Sequence, residues 1–257
     1  MLLGTEKVTK RFGELKAVDQ VDFNLKQGQL KSIIGPNGAG KTTLFNLIAG
    51  VYRPSSGRIL FKNKDITNLS LNQTSRKGIT KTYQITHIFP GLTVFENVRI
   101  SAQSHQTSFN FWRSTHSFRK INERALEILD QVELIHKRNW LASTLSHGEL
   151  RYLEIGIALA TEPEVLLLDE PLAGMSAAET SSCADLIRKL NKFSNLSIVL
   201  VEHDVNVVMG LSDEILVLNE GRKLAEGTPR EISENEEVQR VYLGEDKQTV
   251  SQRMTHA

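Results

Sequence analysis

The sequence is short of cysteine, of net charge and of long apolar runs. Of its 257 residues only Cys183 is a cysteine, which excludes an intrachain disulfide and is typical of a reducing compartment. A net charge of +1 gives no overall attraction to nucleic acid or to anionic lipid. No apolar run approaches the ~18 residues of a membrane span, and the N-terminus lacks the apolar core of a signal peptide. If the protein acts at a membrane, we expect it to be a peripheral subunit.

What the sequence does contain is the periodicity of an α/β protein. Its 40% hydrophobic and 24% charged residues are those of a globular protein, and it has no repeats or low-complexity segments. Apolar and β-branched segments predict strands at 18–23, 30–34, 56–61, 164–170, 197–204 and 214–227, the last with a turn at NEG. Strands that alternate with helices predict a mainly parallel sheet.

Helical periodicity fills the middle of the chain. From residue 84 to about residue 160 the pattern is helical, and one predicted helix places Ala125, Ile128, Leu129 and Val132 on a single face. We therefore expect a helical insertion in the sheet. Thr228, Pro229 and Glu231 have the spacing of a helix start and predict a C-terminal helix that ends near Gly244.

The most specific motif is GPNGAGKT at residues 35–42, which satisfies G-x-x-x-x-G-K-[ST] between a predicted strand and a predicted helix. Glycines let backbone N–H groups turn towards phosphates, Lys41 supplies a cation and Thr42 a hydroxyl for Mg²⁺. The alternative is an ordinary glycine-rich connection. The nucleotide-binding residues predicted here are Gly35, Pro36, Asn37, Gly38, Ala39, Gly40, Lys41, Thr42 and Thr43.

The stretch VLLLDEP supplies a second half of such a site. Its apolar run from Val165 to Leu168 predicts a strand buried on both faces, and open α/β sheets bind ligands at the carboxyl ends of their strands. Asp169 can there hold Mg²⁺ or its waters, and Glu170 can orient the attacking water. Without the phosphate loop, a solvated strand end would be the better interpretation.

The stretch LSHGEL allows two interpretations. Ser146 and Glu149 have the spacing of a capping box at the start of a helix that runs through Ile155 and Leu159. A helix N-terminus is also an anion site, because it presents free N–H groups and the positive end of the helix dipole. The stretch alone does not decide between a cap and a phosphate-binding loop.

These motifs, in this order and spacing, resemble the ATP-binding subunits of ABC transporters over nearly the whole chain. By that resemblance Phe12 is the aromatic residue that stacks on adenine, and Gln84 is the Q-loop glutamine that senses Mg²⁺ and the membrane subunit. LSHGE occupies the position of the family signature, which is usually LSGGQ. His203 occupies the position of the family's switch histidine. The stretches around Gln84 and His203, and the closing RVYLGE, are similar to importers of branched-chain amino acids, with urea and amide importers as close relatives.

The resemblance implies an α/β fold with a P-loop ABC ATPase core: a mainly parallel sheet, an N-terminal antiparallel β portion and an inserted helical subdomain at about 85–160. The domain would cover 1–245, and we expect the polar tail 246–257 to be disordered. ATP and Mg²⁺ would be the cofactors. The implied catalytic residues are Glu170, His203 and Gln84, the metal site is Thr42, Gln84 and Asp169, and Ser146 and Gly148 would close the ATP site of a partner protomer.

The implied partners are transmembrane permease subunits and a second ATPase protomer, in a homodimer or a heterodimer. A periplasmic or extracellular solute-binding protein would act indirectly, and no nucleic acid is expected. The implied location is the cytoplasmic face of the cell membrane.

Several of these residues also have simpler interpretations. Phe12 can be a core aromatic, Gln84 a polar loop residue and His203 a structural histidine at a strand end. His147, Glu149 and Ser176 depart from the family pattern, in the signature and in the D-loop that follows Pro171. Residues 108–120 mix aromatic and basic side chains, and can form a self-packed helical insertion, a contact with the membrane subunit or lipid, or a nucleic-acid surface.

Three alternatives to an amino-acid importer stay open at this stage. These are a urea or amide importer, a lipopolysaccharide-export ATPase, which has a similar VYLGED, and a non-transport ABC ATPase of translation or DNA repair. Non-transport members usually carry two cassettes or a long coiled-coil insertion, and this sequence has neither.

Overall fold

A computed structural model describes residues 1–82, 88–105 and 115–243 of the chain. The strands are β1 (Leu3–Phe12), β2 (Leu15–Leu25), β3 (Leu30–Ile34), β4 (Ser56–Phe61), β5 (Lys64–Asp65), β6 (Ile79–Lys81), β7 (Val165–Asp169), β8 (Ser197–Val201), β9 (Glu214–Asn219) and β10 (Arg222–Gly227). The helices are α1 (Lys41–Ile48), α2 (Leu71–Ser75), α3 (Val94–His105), α4 (Thr115–Gln131), α5 (His147–Leu159), α6 (Ala177–Ser194), α7 (Val205–Leu211), α8 (Pro229–Ser233) and α9 (Glu236–Leu243).

The strands form two sheets. One is antiparallel, with the order β2-β1-β4-β5, and the other has the order β10-β9-β3-β8-β7-β6. In the second sheet every pair is parallel except β10 with β9. Strands β3, β7 and β8 are buried along their whole length, as expected for apolar strands covered on both faces. The mainly parallel sheet and the N-terminal antiparallel portion are therefore confirmed.

Two large apolar clusters hold these layers together. One lies between the two sheets and includes Leu44, Phe45, Leu47 and Ile48 of α1. The other covers the opposite face of the parallel sheet with residues of α3, α4, α5 and α6. The face predicted for α4 is confirmed, because Ala125, Ile128, Leu129 and Val132 are all fully buried in this second cluster.

Two features differ from the sequence prediction. Strands β1, β5 and β6 were not predicted; in β1, charged residues and a left-handed backbone at Lys7 (φ 44°) interrupt the alternation that marks a strand. The C-terminal helix is two helices, α8 and α9. The Oδ1 of Asn235 accepts the N–H groups of Glu237 and Val238, each at 3.0 Å, so Asn235 caps the start of the second helix, α9.

The helical segments α3, α4 and α5 lie between β6 and β7 in the chain. Residues 83–87, 106–114 and 244–257 lie outside the described residues, so the boundaries 85–160, 1–245 and 246–257 stay predictions. Within the described part of the chain, no helix is both long and apolar enough to cross a membrane.

Candidate functional site

The site lies where three neighbouring parallel strands end. β8 lies between β3 and β7 in the sheet, and all three run in the same direction. β3 leads directly into Gly35, β7 into Glu170, and β8 ends two residues before His203. Carboxyl ends of parallel strands meet at one edge of the sheet, which is where open α/β sheets bind ligands.

The loop after β3 is packed so tightly that glycine is required. Gly40 has a φ of 96°, and a Cβ there would lie 2.3 Å from the carbonyl oxygen of Ala17. Gly35 is equally confined, since a Cβ would lie 2.2 Å from the carbonyl oxygen of Leu218. The N-cap of α1 is Gly40, which has no side chain to cap the first turn of the helix beginning at Lys41. The loop therefore presents helix N–H groups to an anion, as phosphate-binding loops do.

Lys41 does more than carry the positive charge that the motif predicts. In the structure the residue is only 6% exposed, and its Nζ donates to the carbonyl oxygens of Gly35 at 2.7 Å and Pro36 at 2.9 Å. The stem of Lys41 is buried because α1 packs against the sheets, so the ammonium group also holds the loop together.

Glu170 and His203 are in direct contact. The Nε2 of His203 lies 2.9 Å from Oε1 of Glu170, and their side chains are 52% and 23% exposed, respectively. Glu170 has a left-handed backbone, with a φ of 48°, and its N–H donates to the carbonyl oxygen of Val201 at 2.9 Å. Such a backbone costs free energy in a non-glycine residue and is found most often at functional sites. A carboxylate and an imidazole are thus held together at the edge of the sheet.

Asp169 ends β7 and is 4% exposed. Its Oδ2 lies 3.1 Å from Nζ of Lys81, which also donates to Oδ1 of Asn46 at 2.6 Å. Its Oδ1 is buried and has no hydrogen-bond partner among the described residues. A buried polar atom without a partner needs an explanation, and a hydrated cation fits here because its water ligands can donate to this oxygen.

A cleft of about 650 Å³ joins most of these groups. It is lined by Phe12, Leu15, Lys16, Ala17, Asn37, Gly38, Ala39, Gly40, Lys41, Thr42, Thr43, Glu170, His203, Glu220 and Gly221. The sequence did not predict that the start of β2, with Leu15 to Ala17, or the β9–β10 turn is part of the site. The NEG turn was recognised only as a turn, because nothing in its sequence indicates that it contacts the loop after β3.

Phe12 lies at one end of this cleft and is not a core side chain. It is 45% exposed, its ring meets the edge of Tyr52 with 5.5 Å between the ring centroids, and Nζ of Lys10 lies 5.1 Å from its ring centre. An exposed aromatic face at a cleft is suited to stacking on a planar ligand. Gln84 lies outside the described residues, so its position relative to the cleft stays a prediction.

The start of α5 has the predicted capping box. Oγ of Ser146 accepts the N–H of Glu149 at 3.3 Å, and Oε2 of Glu149 accepts the N–H of Ser146 at 3.0 Å. Burial raises the pKa of Glu149, but hydrogen bonds from Lys137 and Ser146 outweigh burial and hold that pKa below its usual value. Ser146 and Gly148 are not among the residues that line the cleft. Within one chain, the signature and the phosphate loop are therefore separate.

Replacement of Ser146 by alanine tests the cap. The free energy of unfolding should fall by about 0.5–2 kcal/mol, because an N–H group of α5 loses its acceptor. Ser146→Asn is the matched control, since asparagine caps helices as well as serine does and should restore stability. Urea denaturation measures both variants. Equal stability of the alanine and asparagine variants would mean that the hydrogen bond from Glu149 contributes nothing.

The fold and the cleft define a nucleotide-binding protein of the phosphate-loop class. Residues 18–173 match the family model of the ABC transporter, and residues 222–248 match that of the branched-chain amino acid ATP-binding cassette transporter. The chain therefore belongs to the ATP-binding subunits of ABC transporters, and it is an ATPase.

Relatives with known names cover almost the whole chain. The high-affinity branched-chain amino acid transport ATP-binding protein LivG of Salmonella typhimurium is 41% identical over 95% of this chain and 98% of its own length. BraF of Pseudomonas aeruginosa, with the same description, is 39% identical over the same shares. Among solved structures, the ADP conformation of the ATP-binding cassette MJ1267 has a TM-score of 0.84 at 31% identity and covers 95% of this chain and 98% of its own. The dimeric bacterial cassette MJ0796 has a TM-score of 0.74 at 29% identity and covers 89% and 99%.

Proposed function

We propose that this chain hydrolyses ATP to power an importer of branched-chain amino acids. The observation that supports the chemistry is the contact of Glu170 with His203 beside a phosphate-loop cleft. The observation that supports the solute class is the match of residues 222–248 to the branched-chain amino acid transporter model. That match also favours this importer over the urea, lipopolysaccharide-export and non-transport alternatives.

In this proposal, residues of the cleft have separate roles in ATP binding or hydrolysis. Phe12 stacks on the adenine, and the backbone N–H groups of residues 35–43 bind the phosphates together with Lys41. Glu170 accepts a hydrogen bond from the attacking water and orients it, and His203 donates to the γ-phosphate. Glu170 and His203 hydrogen-bond each other at 2.9 Å, so the pair is already placed on one side of the cleft.

Mg²⁺ would be held by Thr42, Asp169 and Gln84. The hydroxyl of Thr42 is on an exposed residue of the cleft, and Oδ1 of Asp169 is a buried acceptor without a partner among the described residues. When bound, Mg²⁺ would neutralise the negative charge that develops on the phosphate oxygens.

A second protomer would complete the site. Ser146 and Gly148 start α5 away from the chain's own cleft, and a helix start can bind the γ-phosphate of a partner's ATP. The dimeric structure of MJ0796 supports such an assembly. We further propose that the dimer binds permease subunits at the cytoplasmic face of the membrane and works indirectly with a solute-binding protein, without nucleic acid.

The surroundings of Gly148 and Ser146 decide which of the two can carry an added charge. Gly148→Asp is a poor probe, because a Cβ at Gly148 would already lie 3.3 Å from Oε1 of Glu179, and a second carboxylate there would be repelled. Ser146 is exposed, and both aspartate and asparagine cap helices as well as serine does.

We expect Ser146→Asp to bind ATP normally but to lose most hydrolysis, since its charge would repel the incoming γ-phosphate. Repulsion from Glu149, whose Oε2 accepts the N–H of residue 146 at 3.0 Å, should lower its melting temperature. Ser146→Asn, neutral and of the same shape, should stay active. Mixing Ser146→Asp with Lys41→Ala protomers should restore part of the activity, because one composite site then has an intact loop and an intact signature. Equal rates of phosphate release by the aspartate and asparagine variants would contradict the proposal that the start of α5 binds the γ-phosphate.

The solute class is tested by assembly. The protein would be co-expressed with candidate permease subunits and a solute-binding protein, and the membrane complex reconstituted in liposomes. Leucine, isoleucine and valine, delivered by the solute-binding protein, should stimulate ATP hydrolysis and be taken up. Stimulation by urea or amides alone, or co-purification of a lipopolysaccharide-export complex, would contradict the proposed solute class.

A further inference from the structure

Glu202 is a buried carboxylate that directly precedes His203 and reaches across to the segment that carries Glu170. The residue is 5% exposed. Its Oε1 accepts the N–H of Leu172 at 2.7 Å, and its Oε2 accepts the N–H of His203 at 3.2 Å. One side chain therefore binds the backbone on both sides of the Glu170–His203 contact, and none of the roles proposed above includes it.

The position of Glu202 matters because strand pairing ends just before it. The last register pair of β7 and β8 is Asp169 with Val201, and beyond it the chain leaves the sheet on both strands. The Glu202 side chain extends the connection from β8 to Leu172, two residues beyond Glu170. Leu172 is itself 6% exposed and packs in the core, so this hydrogen bond joins His203 to a fixed point.

Burying a carboxylate is costly, and here the two backbone donors and the neighbouring His203 offset part of that cost. Burial raises the pKa of Glu202, the N–H groups of Leu172 and His203 lower it, and the charge of Glu170 raises it further. Burial prevails, and the pKa is raised. A buried carboxylate at this position is explained if both of its oxygens are required to accept the N–H groups of Leu172 and His203.

We infer that Glu202 is a positioning residue for ATP hydrolysis, which holds the backbone of Leu172 against that of His203 and so fixes the Glu170 carboxylate relative to the His203 imidazole. This inference rests on the proposed roles of Glu170 and His203. It requires two acceptor oxygens on one buried side chain, which an amide or a hydroxyl does not supply.

The substitution Glu202→Gln tests this requirement. Glutamine has nearly the same size but only one acceptor, so its NH₂ group must face a backbone N–H. We expect kcat for ATP hydrolysis to fall by about 10- to 100-fold, as for a reacting group displaced by part of an ångström, while KM for ATP changes little. Glu154→Gln is the matched control. Its side chain is 9% exposed, it pairs with Arg151 at 2.7 Å on α5, and it makes no hydrogen bond to either segment.

Two outcomes would overturn the inference. One is a kcat for Glu202→Gln equal to that of Glu154→Gln, and the other is a loss of activity that only follows the fraction of folded protein. A spectroscopic signature adds a second criterion. The imidazole NMR signal of His203, assigned by its loss in His203→Ala, should shift in Glu202→Gln and stay in place in Glu154→Gln; an unmoved signal in Glu202→Gln contradicts the proposed positioning.

A measurement on the unsubstituted protein covers the case in which Glu202→Gln does not fold. The amide N–H of Leu172 should be protected from hydrogen exchange in the absence of nucleotide, and exchange at the rate of an open loop would overturn the inference. The proposed function is tested separately by Glu170→Gln. Wild-type ATP turnover in that variant would contradict the proposed role of Glu170 in hydrolysis. An inactive Glu170→Gln together with a fully active Glu202→Gln would contradict only the role of Glu202.

Discussion

Replacement of Glu170 by glutamine is expected to abolish ATP turnover while leaving ATP binding intact. The carboxylate is proposed to act on the attacking water, and general-base groups contribute on the order of 10²- to 10⁴-fold to a rate. It is not among the groups proposed to bind the phosphates, which are Lys41 and the N–H groups of residues 35–43. Glutamine keeps the size of the side chain and can still reach Nε2 of His203, which now lies 2.9 Å from Oε1. Phosphate release and equilibrium ATP binding, measured on the same sample, give the result.

The control for this variant comes from the other end of the same strand. Glu164 immediately precedes β7, is half-buried and accepts a hydrogen bond from Nζ of Lys62 at 2.7 Å. Glu164→Gln should therefore hydrolyse ATP at the wild-type rate. If purified Glu170→Gln also hydrolyses ATP at that rate, Glu170 is not the residue that activates water.

Removal of the Lys41 ammonium group is expected to weaken MgATP binding on the order of 100-fold, since charge-assisted hydrogen bonds to phosphate are lost. The buried position of Lys41 complicates the simplest variant. Alanine removes the stem that packs in the interior and the donor to Gly35 and Pro36, so Lys41→Ala should also be less stable.

Lys41→Met separates these two effects. Methionine fills much of the volume of the lysine stem but carries no charge, so it should melt at a higher temperature than the alanine variant and still fail to bind MgATP tightly. Calorimetric titration with MgATP and thermal unfolding are the two measurements. Wild-type affinity in Lys41→Met would place the phosphates away from Lys41.

Local sequence patterns were sufficient for the features that depend on neighbouring residues. The capping boxes at Ser146 and Thr228 are present because a serine or threonine three residues before a glutamate forms both hydrogen bonds within one turn. The buried strands β3, β7 and β8 followed from short apolar runs, and the buried face of α4 from spacing alone. The break between α8 and α9 was not predicted, although its cause, the cap formed by Asn235, is also local.

The chemistry of the phosphate loop was likewise evident in the sequence, because GPNGAGKT contains the residue types and the spacing that bind phosphate in any chain that folds them after a strand. The tertiary structure alone decided which distant residues meet there. The insertion of β8 between β3 and β7 brings His203 to Glu170, and the packing of α1 buries Lys41. The carboxylate of Glu202 reaches Leu172 for the same reason: residues 30 positions apart become neighbours when their strands pair, and no local pattern records which strands will do so.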